Sequence, residues 1–261
     1  RFDDGSSRVY DFFWSDFCDW YIEASKLHLY AEDEGEKDRA ASLLVYVLEE
    51  AMRLLHPFVS FVTEEIYQKL PDITPADGSE RTGAVIVGRY PQVHEERAAP
   101  EDAAAFAALQ EAVRSVRTLR SEFTIPPSMK LRFHVRFDGE FTHGNFFRQS
   151  EALLKLLTGS EEVSFGSEAP RQGGSIPAVA SGFEVYVFIK DVIDVGEEIK
   201  RLEKSIDKAE KQLAGTQKKL GNPNFVEKAK AEAVEREREK EQELTTRLGK
   251  MQGFLQELKA G

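Results

Sequence analysis

The chain has 261 residues, 41% hydrophobic and 31% charged, with 35 Lys+Arg against 46 Asp+Glu and a net charge of −11. This is the composition of a soluble globular protein with apolar material for a real core, in one large domain or two to three small ones. No stretch approaches the roughly 18 consecutive apolar residues of a membrane span, and the excess of acid by itself argues against nucleic acid as a partner.

The N-terminus, Arg1-Phe2-Asp3-Asp4-Gly5, has the pattern of neither a signal nor a transit peptide. It does not begin with Met, so the chain reads as a piece of a longer one. A first helix is predicted from about Ser6 to Tyr30. Seven of the twelve residues from Tyr10 to Tyr21 are aromatic, including both tryptophans, Trp14 and Trp20. Tyr10, Phe13, Phe17, Trp20, Ala24 and Leu27 recur at helical spacing, and Trp14, Tyr21 and His28 add a second stripe. Aromatic rings bury large areas, so this helix is expected to be enclosed on more than one side. Cys18, the single cysteine, excludes an internal disulfide or a Cys-based zinc site and fits a reducing, cytosolic compartment. It reads as a small buried hydrophobe.

A second helix follows from about Lys37 to His56, with Leu44, Val47, Leu48, Ala51, Leu54 and Leu55 inward. Pro57 disrupts its ladder, and Phe58, Phe61, Val62 and Ile66 resume the spacing, which predicts a kink or a restart. Residues 71–100 read as a long connection, with Ala84-Val85-Ile86-Val87 as a short strand inside it. The third helix, about Glu101 to Phe123, turns Phe106, Leu109, Val113, Val116 and Leu119 inward and projects Arg114, Arg117 and Arg120 from a neighbouring arc. Ile125-Pro126-Pro127 stops it.

The period then becomes two: Leu131, Phe133, Val135 and Phe137 alternate with Arg132, His134 and Arg136, as in a half-buried strand. A helix (about Asn145 to Leu157), a strand (Glu162 to Phe165), a Gly/Pro-rich loop with Gly173-Gly174 and a strand (Phe183 to Lys190) complete a small antiparallel sheet with one helix, an α+β unit. In the last seventy residues, Val192, Val195, Ile199, Leu202, Ile206, Ala209, Leu213, Thr216 and Leu220 step by three and four. After Gly221-Asn222-Pro223-Asn224 the stepping returns in Val234, Leu244, Leu248, Met251, Leu255 and Leu258, interrupted by Glu237 and Glu241. Two heptad segments about a turn predict an antiparallel coiled-coil hairpin, its first arm roughly 40 Å long and projecting from the body. The chain is thus mainly α with a small α+β part, divided as 1–128, 129–192 and 193–261.

Phosphate-binding and dinucleotide glycine loops and the His-Glu-x-x-His word do not occur. The five histidines show no metal-ligand spacing. Glu49-Glu50, Glu64-Glu65 and Glu197-Glu198 read as solvated helix faces, and no residue is assigned to catalysis or to a metal. What remains is local charge. Residues 108–148 hold seven Lys+Arg (Arg114, Arg117, Arg120, Lys130, Arg132, Arg136, Arg148) against four acids, and residues 211–230 hold five lysines (Lys211, Lys218, Lys219, Lys228, Lys230) against Glu227. Basic patches on an acidic body suit a large polyanion touched at separated points, although basic helix positions are more often simply solvated.

Four words in order carry a resemblance. Tyr10 to Glu23 resembles the anticodon-binding domain of the valyl-tRNA synthetases, with Lys26 where that family usually has a lysine. Leu54-Leu55-His56-Pro57-Phe58-Val59-Ser60-Phe61-Val62-Thr63-Glu64-Glu65-Ile66 resembles a class Ia synthetase word, Ser60 replacing its second proline. Val116-Arg117-Thr118-Leu119-Arg120 and the Ile125-Pro126-Pro127 stop look like the family's arginine helix. Asn222 to Ala229 resembles the tip of its coiled-coil arm, with Lys230 where a proline is usual. The class I signatures, of the His-Ile-Gly-His and Lys-Met-Ser-Lys-Ser types, are absent.

The resemblance implies the C-terminal portion of such an enzyme: a helical anticodon-binding bundle (1–128), the small α+β subdomain (129–192) and a coiled-coil tRNA-binding arm (193–261). The helix that usually opens the bundle is missing, which predicts an exposed apolar face. It implies tRNA(Val) as partner, without DNA or membrane, a monomer, a cytoplasmic location, and a need for ATP in the full-length enzyme but no cofactor here. This portion would be inactive alone. The implied tRNA contacts are Lys26, Arg114, Arg117 and Arg120 in the bundle, where one of the three arginines anchors the helix instead, and Lys218, Lys219 and Lys228 at the hairpin tip. Trp14 and Phe17 are candidates for base stacking, with core packing the favoured role. The competing readings are a leucyl or isoleucyl relative, against which the hairpin argues, and an interaction scaffold whose coiled coil pairs with another chain.

Overall fold

The computed structural model describes residues 2–71, 82–170, 175–190, 192–223, 225 and 231–260. The chain forms two units, Arg1–Ala104 and Ala105–Gly261.

In the first unit, helix α1 (Phe2–Asp11) passes without a break through a π-helical segment, Phe12–Ile22, into α2 (Glu23–Leu29). A π turn closes i→i+5 hydrogen bonds and is wider than an α turn. Rings four apart meet along it: Phe13 stacks on Phe17 at 5.5 Å, Phe17 lies tilted against Tyr21 at 5.8 Å, and Tyr10 is parallel to Trp14 at 6.4 Å between centroids. The burial is one-sided, contrary to the enclosure expected from the composition. Phe17 is 2% exposed and Trp20 is buried, but Tyr10 is 59% and Trp14 56% exposed, with Phe12 beside them. Helix α3 (Glu34–Leu55) touches both α1 and α2, and its packing accounts for one face of the aromatic helix while Tyr10, Phe12 and Trp14 form an open apolar face.

Asp33 caps α3, accepting from the Glu36 N–H at 2.6 Å, which satisfies one of the free donors of the first turn. Pro57 ends the ladder and α4 (Ser60–Tyr67) is a restart; His56 Nδ1 and Thr63 Oγ1, 2.8 Å apart, lock the corner. Glu49 is buried on α3 and accepts from Arg53 at 2.6 Å, which removes the need to hydrate either charge. The strand expected at 84–87 is a single 3-10 turn, Val85–Val87. Its anchor is local: Val85 is buried and its N–H donates to Glu64 Oε2 at 3.0 Å, while Ile86 and Val87 point to solvent. No strand lies beside it among the described residues of this unit, and an apolar run without a ladder partner has no reason to extend. Much of the surrounding connection, residues 72–81, lies outside the described residues.

The second unit takes in most of α5 (Pro100–Glu122), which buries Leu109, Ala112, Val113, Val116 and Leu119. The helix ends where Thr124 adopts a φ of +52° and the Ile125 N–H returns to Arg120 O at 2.8 Å, a left-handed reversal usually given to glycine or asparagine. Strands β1 (Leu131–Phe137), β2 (Ser160–Gly166), β3 (Ser175–Val179) and β4 (Phe183–Phe188) form one sheet in the order β2-β1-β4-β3. The sheet is mixed rather than antiparallel throughout: β1 and β2 are parallel, because α6 (Gly144–Gln149) and α7 (Glu151–Thr158) lie between them and supply the crossover that parallel pairing needs. The Gly/Pro-rich loop also conceals β3, an edge strand that tolerates Pro177. Leu131, Phe133 and Val135 of β1 and Phe183, Val185 and Val187 of β4 are fully buried.

Helices α8 (Val195–Leu220) and α9 (Ala231–Ala260) form the hairpin. Lys219 to Glu237 at 3.0 Å, Gln252 to Glu210 at 3.4 Å and Lys259 to Glu203 at 2.8 Å run in opposite order along the two helices and show that they are antiparallel. Leu202, Ile206, Ala209 and Thr216 meet a seam of Val234, Leu244, Leu248, Met251 and Leu258, all buried. The open end is tied to the end of α5 by Phe123 against Phe254 at 5.2 Å and by Arg201 donating to Glu122 O at 2.7 Å. Among the described residues no helix is long and apolar enough to cross a membrane.

Candidate nucleic-acid interface

The three arginines of α5 do not form one exposed row. Arg120 is half-buried and turns back into the protein, donating through Nη1 to Pro126 O at 2.8 Å and Met129 O at 3.0 Å, and through Nη2 to Thr158 O and Gly159 O, both at 3.3 Å. It thereby satisfies carbonyls at two chain reversals, after α5 and after α7. Burial pushes its pKa down, though it stays charged, and its buried Nε has no hydrogen-bond partner among the described residues. Arg117 is exposed over most of its length, yet its Nε donates to Leu157 O at 2.9 Å. Arg114, the third of the row, is exposed.

The cations of the sheet are likewise engaged. Arg136 pairs with Glu184 at 2.9 Å and Asp138 at 3.3 Å. The hydrogen bond from Arg136 is the first cause holding the Glu184 carboxyl below its usual range, followed by one from Tyr186. Arg132 lies over the Phe188 ring and Arg148 over Phe137. The basic surplus of residues 108–148 is therefore mostly structural, and Lys130, exposed and without an ion pair among the described residues, is an exception.

In the first unit, Lys26 is half-buried and pairs with Glu23 one turn earlier at 2.6 Å. Phe17 is a core side chain, whereas Trp14 is open to solvent and stacked on Tyr10. Cys18 is half-buried, and burial first, then Asp19, raises its pKa, so it remains a thiol rather than a reactive thiolate.

On the hairpin, Lys218 is exposed with no ion pair among the described residues, while Lys219 crosses to Glu237 and, as the leading cause, holds that carboxyl below its usual value. Lys228 lies outside the described residues. The candidate residues omit four exposed lysines of α8 that share the helix with Lys218, namely Lys200, Lys204, Lys208 and Lys211. Their recurrence was legible, since Lys204, Lys211 and Lys218 are seven apart.

Two family models match in chain order: the anticodon-binding domain of tRNA ligase over residues 1–135, and the valyl tRNA synthetase tRNA binding arm over residues 194–259. The first covers more than half of the chain. The chain belongs to the tRNA ligase anticodon-binding family. Among curated members of that family, the valine–tRNA ligase of Treponema denticola is 38% identical over 99% of this chain. Those of Bacillus subtilis and Geobacter sulfurreducens are 37% and 36% identical over the same share. The chain matches the C-terminal portion of these ligases and spans about 28% of their length. Among the described residues the apolar seam of the hairpin is buried between α8 and α9.

Proposed function

We propose that the chain is the tRNA-holding region of a valine–tRNA ligase, in which the whole protein joins valine to tRNA(Val) with ATP. The division into an anticodon-binding bundle (1–128), a small α+β subdomain (129–192) and a tRNA-binding arm (193–261) belongs to the same reading, as do a monomeric state and a cytoplasmic location. The observation that supports it most is the order of the two family matches on one chain, an anticodon-binding region followed by an arm.

Each part has its own physics. Unpaired anticodon bases are read through their edges and by stacking, while lysine and arginine fix the phosphates. Lys26, Arg114 and Arg117 are the bundle candidates; Lys218, Lys219 and Lys228 are those of the arm. Arg120 has its guanidinium committed to four backbone carbonyls, and its proposed role is the anchor of α5. The chemistry itself belongs to the rest of the enzyme, and this region is proposed to be inactive without it.

Titration of the chain with tRNA(Val) and with a tRNA of different anticodon, at several salt concentrations, tests the reading. Salt-sensitive binding with preference for tRNA(Val) is expected. A folded chain that binds neither at low salt overturns it.

A further inference from the structure

The two helices of the hairpin present unlike outer faces. In α8 the seam falls on Ile199, Leu202, Ile206, Ala209, Leu213, Thr216 and Leu220. The positions farthest from that seam are Glu197, Lys204, Lys211 and Lys218; the positions flanking them are Lys200, Arg201, Asp207, Lys208, Ala214 and Gly215. Past the first turn, where Glu197 pairs with Lys200, the outermost position is lysine three times in succession, each time exposed. Seven residues of helix rise about 10 Å, so the three ammonium groups mark a line roughly 20 Å long.

The outer face of α9, taken the same way from its seam, holds Glu235, Arg236, Glu239, Gln242, Glu243, Thr246, Gly249, Lys250, Gly253, Gln256 and Glu257, in which acids prevail. A face serving only solubility mixes signs and pairs them at one-turn spacing. Both helices hold one-turn pairs, Glu235 with Arg238 on α9 and Glu197 with Lys200, Glu198 with Arg201 and Asp207 with Lys211 on α8. The sign separates them: past the first turn the outer face of α8 has Lys204, Lys208, Lys211 and Lys218 against one acid, Asp207, held by Lys211 in an exposed pair at 2.6 Å, a contact of the strength that salt or a phosphate displaces.

We infer that the outer face of α8, through Lys204, Lys211 and Lys218 with Lys208 beside them, is a track for the phosphodiester backbone of RNA along the length of the arm, not only at its tip. The inference rests on the proposed tRNA-holding role and adds to it which helix faces the RNA. Flexible lysines spaced along a rigid rod neutralise phosphates without reading bases. The track therefore supplies affinity and salt dependence and leaves anticodon preference to the bundle.

The test compares two triple variants of the whole chain in tRNA titrations across a salt series. Lys204→Gln/Lys211→Gln/Lys218→Gln removes the track; Arg236→Gln/Arg247→Gln/Lys250→Gln removes the same charge from α9. Each lost phosphate contact lowers the slope of log K against log salt by about 0.7 to 0.9. The α8 variant is expected to lose about two to three in slope and on the order of tenfold in low-salt affinity, with unchanged preference between tRNAs; the α9 variant keeps both. Equal losses in the two variants, or an α8 variant with the parent slope, overturn the track while leaving tRNA binding by the parent intact. A parent chain that binds no tRNA removes the underlying reading and the track together. If sedimentation showed the α8 substitutions dissolving a dimer of the parent while its RNA slope stayed the same, the lysines would face the acidic α9 of a second copy and the track would be refuted.

Discussion

Two basic rows lie in the second unit, one on α5 and one on α8, and their cations are engaged in different ways. The α5 row is arginine. Two of its three guanidinium groups reach backbone carbonyls, and Arg120 alone meets four of them. The α8 row is lysine, pointing away from the seam that closes the hairpin. The guanidinium is a flat fork of five donors suited to gathering carbonyls at a chain reversal, whereas an ammonium on a long stem remains hydrated and free to meet a phosphate. Local net charge is the same kind of number in both rows, and it does not tell a cation that holds the fold from one that faces a partner.

The sharpest break between the rows is expected from Arg120. Arg120→Ala leaves the carbonyls of Pro126, Met129, Thr158 and Gly159 short of a donor and should cost about 3 kcal/mol, read as a lower midpoint in urea. Arg120→Lys should restore little of it, since one ammonium cannot reach four acceptors. In either variant, measured where it is still folded, the salt slope of tRNA binding should be unchanged. A slope reduced by about one would place Arg120 on the RNA instead.

Adjacent lysines at the end of α8 make a finer comparison. Lys219→Ala breaks the cross-hairpin pair with Glu237 and should lower the urea midpoint slightly, since an ion pair with an exposed lysine contributes little. Lys218→Ala should leave the urea midpoint in place and weaken tRNA binding. An exchange of these two outcomes would mean that the pair opens in solution.

Among the described residues, and apart from the backbone of their own helix and their chain neighbours, Gly249 and Gly253 of α9 have no atom within 4 Å of where a Cβ would stand. Alanine at either should therefore stabilise by roughly 0.5 to 1 kcal/mol through helix propensity and leave tRNA affinity alone. Lost affinity would show that RNA approaches the α9 backbone, against the asymmetry of the arm.

The smallest effect is a pH dependence away from both rows. His134 on β1 is half-buried, with ring nitrogens near Ser164 Oγ at 2.8 Å and Glu168 O at 3.1 Å. Burial is the main cause pushing its pKa below 6.5, partly opposed by the bond to Glu168. The unfolded chain then binds the proton more readily, so stability falls as pH drops below about 6.5 and the loss is complete once pH passes below the folded value. His134→Gln should flatten that part of the profile; an unaltered profile would assign it to another group.

Much of this was legible in the sequence, for identifiable reasons. The hairpin follows from three-and-four stepping about Gly221-Asn222-Pro223-Asn224, because a seam fixes both partners of a coiled coil at once. β1 follows from its alternation, and the restart at Ser60 from Pro57. The one-sided burial of the aromatic helix was not legible: Tyr10 and Trp14 have core composition, and only the neighbours decide whether a ring is covered. Ala84 to Val87 looked like a strand because a short apolar run carries no information about a ladder partner. The parallel pairing of β1 with β2 depends on a crossover whose path is tertiary. Arg120 shows the same limit at the candidate site, since its spacing matches that of Arg114 and Arg117 and its acceptors lie up to 39 residues away.

Lysine footprinting bears most directly on the division between the rows. The chain is acetylated with and without saturating tRNA(Val), and each lysine is quantified by mass spectrometry. Strong protection of Lys204, Lys211 and Lys218 is expected, with Lys240 and Lys250 of α9 modified at the same rate in both samples. Protection of the α9 lysines with the α8 line left reactive would contradict that division.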